Sequence, residues 1–131
     1  MEEIFKVEII SPEKVIFSGE ANAVTTPSYE GDMGVLKNHV SIITFLRPGL
    51  IKIQKKENDF EEFFVEDGIL EYFGENLVIL SSSVINIKNI SKEYIDNLTK
   101  ETEKRLAETS ITDNERYILN HKKDALVNIN I

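Results

Sequence analysis

The spacing of apolar residues changes period once along this chain, and that change bounds what it can fold into. Up to Ile85 the period is near two: Phe5, Val7 and Ile9 alternate with Lys6, Glu8 and Ile10, and Ile51 and Ile53 alternate with Lys52 and Gln54. Further runs at Val15–Phe17, Ala21–Thr26, Ile42–Leu46, Phe63–Val65, Ile69–Phe73 and Leu77–Leu80 are rich in β-branched and aromatic residues. Turn formers separate them at Ser11-Pro12, Pro48-Gly49, Asn58-Asp59 and Gly74-Glu75-Asn76. Closely spaced strands with no helical pattern between them predict an all-β sandwich or flattened barrel of about nine or ten strands.

After Asn86 neither Gly nor Pro occurs, and Ile95, Leu98, Thr102 and Leu106 follow a helical period. Ser91 is placed to cap a first helix, with Glu93 in its first turn and Ile90 positioned to staple against Ile95. This helix is expected to run to about Glu108. Thr112-Asp113-Asn114-Glu115 matches a capping box, so a second helix should follow to about Asn128, carrying a stripe of Ile118, Leu119, Ala125, Leu126 and Ile129. Residues 1–87 thus read as a β-sandwich domain and residues 88–131 as a two-helix hairpin. Helices of this length are marginal alone in water, so the hairpin must lean on something. It either packs permanently on the sandwich or docks weakly and exchanges partners.

The net charge of −8 is unevenly placed. Residues 1–87 hold 7 Lys and Arg against 15 Asp and Glu, whereas residues 88–131 hold 8 against 8. The acidic part would repel a phosphate backbone and the neutral tail has no dense basic block, which argues against a nucleic-acid partner. The opening MEEIFKVEII lacks the basic and apolar regions of an export signal, and no run reaches membrane-spanning length. The absence of cysteine excludes disulfides, thiolate metal sites and thiol nucleophiles.

Catalytic chemistry is equally sparse. The two histidines, His39 and His121, are far apart, no nucleophile elbow occurs, and metalloprotease or EF-hand spacing is absent. The acidic run Glu57, Asp59, Glu61 and Glu62 reads as a solvated face. Glu66 and Asp67 are adjacent, so on a strand they point to opposite faces and cannot share a reaction. One segment stands apart, Tyr29-Glu30-Gly31-Asp32-Met33-Gly34-Val35-Leu36-Lys37-Asn38-His39. It lacks the G-K-[ST] of a phosphate loop and the third glycine of a dinucleotide fingerprint. It is either a tight connection whose glycines permit positive φ or a recognition surface.

Taken together, Gly31-x-x-Gly34-x4-His39, Leu46-x-Pro48-Gly49, Gly68-Ile69-Leu70-Glu71, Val7-x-x-x-Ser11-Pro12 and Phe17-Ser18-Gly19 resemble the ATP synthase epsilon subunit over nearly the whole chain. The resemblance implies a ten-stranded β-sandwich followed by an antiparallel helical hairpin, with no active site of its own. It implies a central-stalk role, coupling the gamma subunit to the ring of c subunits at the cytoplasmic face of a bacterial plasma membrane. By the same resemblance Glu30, Gly31, Asp32 and His39 would face the c ring, and Val40, Ser41, Ile42, Ile43 and Thr44 would lie toward gamma. The hairpin would either fold on the sandwich or extend toward the catalytic alpha and beta subunits and restrain ATP hydrolysis, with Arg116, Lys122 and Lys123 as its cations.

Ser41 stands where many members have Pro, and Asp67 where many have the first glycine of a pair. Ile95-Asp96-Asn97-Leu98-Thr99-Lys100 resembles the ATP-sensing motif of some members but carries Thr99 in place of their arginine, so only Asp96 is carried over as an ATP contact. No cofactor is expected. The alternative reading is a small ligand-binding β domain whose hairpin serves as a nucleotide-responsive lid.

Overall fold

A computed structural model describes residues 3–129. Ten strands come first: β1 (Phe5–Ile10), β2 (Val15–Ala21), β3 (Ala23–Ser28), β4 (Gly31–Val35), β5 (Ile42–Leu46), β6 (Gly49–Lys56), β7 (Asp59–Val65), β8 (Gly68–Phe73), β9 (Asn76–Leu80) and β10 (Val84–Asn86). A single 3-10 turn, Ile87–Asn89, leads to α1 (Lys92–Leu106) and α2 (Asp113–Val127). The hydrogen-bonded order is β10-β7-β6-β3-β5-β8-β9-β1-β2, with β4 on β3. Between β3 and β5 the ladder narrows to one pair, Ser28 opposite Leu46, so the sheet divides there into two layers.

Period-two patterning places the core between those layers. Phe5, Val7 and Ile9 of β1 meet Ile51 and Ile53 of β6, Phe63 and Val65 of β7, Leu70 and Tyr72 of β8, and Leu77 and Ile79 of β9, all buried. Positive φ at Gly74 (58°) and Glu75 (65°) provides the twist that a two-residue hairpin needs between β8 and β9.

The segment from Tyr29 was open between a connection and a recognition surface. The connection is only Tyr29-Glu30; Gly31–Val35 forms a strand in register with β3, Val35 opposite Val24 and Gly31 opposite Ser28. Gly31 alone of its two glycines has positive φ, 142°. The acidic run at Asp59–Glu62 likewise belongs to β7, paired with β6.

The outward face of the β10-β7-β6 layer carries one apolar row. Phe64 lies opposite Leu50 on one side and Ile85 on the other, and it is fully buried because the hairpin covers it. Ile90, Ile95, Leu98, Ala125, Leu126 and Ile129 pack there. The helices are antiparallel: Arg105 at the end of α1 reaches Glu115 at the start of α2 at 2.6 Å, while Ile95 and Leu126, at the other ends, share the cluster on Phe64. Ser91 caps α1 by accepting from the Tyr94 amide, and Thr112 with Glu115 forms the capping box of α2. α1 ends at Leu106, two residues before the expected end, because Glu108 bonds back to Arg105 in a tightened last turn and Thr109-Ser110 disfavours continuation.

Gly49 opens β6 with no room for a side chain, since a Cβ there would stand 2.4 Å from the Cβ of Pro27. Gly49→Ala is expected to cost about 1–3 kcal/mol of unfolding free energy. Gly34→Ala, at a position open to solvent, should stay within about 0.5 kcal/mol of the parent. Urea denaturation of both variants checks this.

Candidate interaction surfaces

Backbone pairing determines what each outer face presents. On the layer opposite the hairpin, Phe45 of β5, Ile69 of β8, Leu80 of β9 and Ile10 of β1 lie side by side across four strands. The next row is Ile43, Glu71, Val78 and Glu8. Strand alternation turns all of these outward, and no element of the described residues covers them: Ile43 is 68% exposed, Phe45 63% and Phe73 70%. A contiguous apolar face of this kind marks a binding surface, whereas scattered single residues would not.

The same alternation divides the Val40–Thr44 segment. Val40, Ser41 and Ile43 are exposed; Ile42 and Thr44 are half-buried, and Ile42 packs against the core. A run of consecutive apolar residues does not reveal which of them faces outward, and pairing of Ile42 with core residue Tyr72 does.

The segment Glu30, Gly31, Asp32 and His39 is not drawn together. Glu30 and Asp32 flank Gly31 at the start of β4, whereas His39 lies beyond the strand's other end, where its amide donates to the Leu36 carbonyl in a turn. His39 Nδ1 is 2.7 Å from the Val40 carbonyl oxygen, which can only accept, so this nitrogen bears the proton. Its ring meets the edge of Tyr72 at 5.8 Å. Asp32 is 72% exposed and pairs at 3.4 Å with Arg47, whose side chain is only 12% exposed and whose Nε is buried without a partner among the described residues.

Beside that pair the hairpin makes its polar contacts with the sandwich. The Tyr117 hydroxyl donates to the Tyr29 carbonyl, the Tyr29 hydroxyl donates to Asn114 Oδ1, and the two rings lie 5.1 Å apart. The His121 ring contacts Tyr117 at 4.5 Å. Farther along α2, Lys122 pairs with Glu66 of the β7–β8 connection at 2.6 Å. Among the expected hairpin cations, Lys122 is therefore engaged, Arg116 is exposed and donates to the Leu106 carbonyl, and Lys123 is half-buried. Between α2 and the Phe45–Ile69–Leu80 row lies an open cleft of about 1100 Å³, bordered by Ile118, Leu119 and Lys122. Sequence reasoning missed Tyr29 and Tyr117, and their 88-residue separation left no local signal.

Asp96 is exposed on α1, with Thr99 half-buried three residues on. Among the described residues no group of three or more His, Cys, Asp or Glu could hold a metal ion, and no helix is long and apolar enough to cross a membrane.

The family described as "ATP synthase, Delta/Epsilon chain, beta-sandwich domain" matches residues 4–87. The ATP synthase epsilon chain of Pelagibacter ubique (strain HTCC1062) is 44% identical over 131 residues, covering 99% of this chain and 100% of that one. The ATP synthase epsilon chain of Sulfurimonas denitrificans is 36% identical over 109 residues, covering 83% and 82%. Among solved structures, a chain in the Euglena gracilis mitochondrial ATP synthase (OSCP/F1/c-ring) superposes with a TM-score of 0.77 at 17% identity. It covers 95% of this chain and 80% of its own, a likeness of fold.

Burial holds the His121 pKa below its ordinary value of 6.5, and the nearby Arg47 guanidinium lowers it further, against opposing pulls from Asp124 and Asp32. The docked hairpin therefore binds fewer protons than a released one. The stabilisation is complete above pH 6.5 and is lost as pH falls through the depressed value. Amide exchange across residues 113–127, corrected for intrinsic rates, should therefore lose protection as pH falls below about 6.5. His121→Gln should flatten that dependence.

Proposed function

The chain belongs to the ATP synthase epsilon-chain family, and from that premise we propose that it works as a non-catalytic subunit of the central stalk, joining the gamma subunit to the c ring. The observation that carries the gamma contact is the uncovered apolar face, because an assembled rotor would bury it and a solitary protein would leave it wet. Gamma then covers Val40, Ser41 and Ile43 together with Phe45, Ile69 and Phe73. Ile42 and Thr44 support that surface from beneath, and His39, held beside Val40 and Tyr72, belongs to the same end of the sandwich.

The Tyr29–Asp32 turn is the ring contact in this reading. Glu30 and Asp32 offer two exposed carboxylates on a tight turn, suited to basic or polar loops. The protein sits peripherally on the membrane as part of the synthase, at the cytoplasmic face of a bacterial plasma membrane. Residues 1–87 form the stalk-binding domain and residues 88–131 a regulatory one. With the hairpin docked, Lys122 is neutralised by Glu66; release frees it, with Arg116 and Lys123, for the acidic surfaces of the alpha and beta subunits and restrains hydrolysis.

Two outcomes test this. In light scattering with the gamma subunit of the same organism, the chain should form an equimolar complex that Ile43→Asp weakens by about tenfold or more and Asp32→Lys leaves intact. No complex with a folded gamma subunit would end the rotor reading. Deleting residues 88–131 from the reassembled enzyme should raise its ATP hydrolysis rate, and an unchanged rate would remove the restraining role.

A further inference from the structure

The turn assigned to the ring is also the seat of the hairpin. Tyr29, its first residue, makes the hydrogen bonds with Asn114 and Tyr117 and stacks on the Tyr117 ring. Glu30 follows, and Asp32 two residues later is the acceptor for Arg47. Arg47 completes the arrangement from the end of β5, where its backbone amide donates to the Pro27 carbonyl at 2.9 Å and its charge acts on His121 of α2. One four-residue stretch thus meets α2 through Tyr29 and solvent through Glu30 and Asp32.

We propose that the β3–β4 turn couples the two contacts with opposite sign: a basic partner that engages Asp32 loosens the docked hairpin. The physical route is the Arg47 guanidinium. It is nearly buried, its Nε has no partner among the described residues, and Asp32 is the carboxylate with which it pairs. A cation from outside that draws Asp32 away leaves Arg47 as an uncompensated charge in the cleft it shares with Ile118, Leu119 and Lys122 of α2. Asp32 at 72% exposure is free to turn outward, and Arg47 at 12% is not. Glu66 is the other acidic anchor of α2, but Lys122 already occupies it. By linkage, a docked hairpin weakens engagement of the basic partner by the same factor. The proposal rests on the reading of Glu30–Asp32 as the ring contact, yet its first arm needs no ring.

The experiment is hydrogen exchange on the full chain, reading amides 114–122 against those of β1 and β6. Tyr117→Phe removes the hydroxyl donor and should raise exchange across 114–122 by about two- to tenfold. Asp32→Asn removes the Arg47 partner at an exposed position and should raise it by about two- to fivefold, with β1 and β6 unchanged in both. The second arm adds the detergent-solubilised c ring of the same organism. Binding that raises exchange in the parent but adds nothing in Asp32→Asn supports the coupling. Binding that leaves 114–122 as protected as before overturns it while leaving the ring contact standing. Failure of the ring to bind removes the ring contact instead, and the coupling is then decided by Asp32→Asn, where unchanged exchange overturns it.

Discussion

The structure depends on the burial of Phe64. Strand alternation that sends Phe63 and Val65 into the sandwich must send Phe64 out of it, between Leu50 and Ile85. Covering such a side chain contributes about 2–3 kcal/mol, and the hairpin is what covers it. The dependence is mutual, because two 15-residue helices with no partner would be marginal in water. The cluster that joins them is much smaller than the core between the layers, so the hairpin is held by a few apolar contacts, one half-exposed ion pair and the Tyr29 seat. Such an element is expected at the low-stability end of its own fold, as the proposed releasable arm requires.

The two outer faces of the sandwich differ for a related reason. Both carry apolar residues where polar ones would suffice for solubility, and the chain covers only one. The row of Phe45, Ile69, Leu80 and Ile10 continues across four strands with no element of the described residues packed onto it, and acidic residues Glu8 and Glu71 border it. The uncovered face and the hairpin-covered face lie on opposite sides of one rigid core. The first nonetheless borders the hairpin, because the Phe45–Ile69–Leu80 row and Ile118, Leu119 and Lys122 of α2 line one open cleft. The proposed competition falls at the β3–β4 turn, where Tyr29 holds α2 through Asn114 and Tyr117.

Much of this was legible in the sequence. Period two fixed the inward residues of β1 and β6, and cap chemistry located both helix starts to the residue, at Ser91 and Thr112. β4 was missed because Gly31, Asp32 and Gly34 leave only Met33 and Val35 to alternate, too few to show a period. The acidic first half of β7 escaped for a different reason, since Asp59, Glu61 and Glu62 read as a solvated face, whereas all three are half-buried on a strand paired with β6 through an irregularity at Gln54–Lys56. At the site, the exposed members of Val40–Thr44 could not be picked from neighbours of equal hydrophobicity without the β5–β8 register. Asp32 and His39 were grouped by the family resemblance, and β4 lies between them. The Tyr29, Tyr117 and His121 ring cluster joins segments that no local pattern connects.

The measurement that tests the account most directly is native-state hydrogen exchange of the full chain in low concentrations of denaturant. If the hairpin is a separately held element, amides of α1 and α2 will exchange by an opening whose free energy and denaturant dependence are both smaller than those of β1, β6 and β8. If helix and strand amides instead converge on one free energy and one dependence, the hairpin is part of a single cooperative core, and its role as a releasable arm is contradicted.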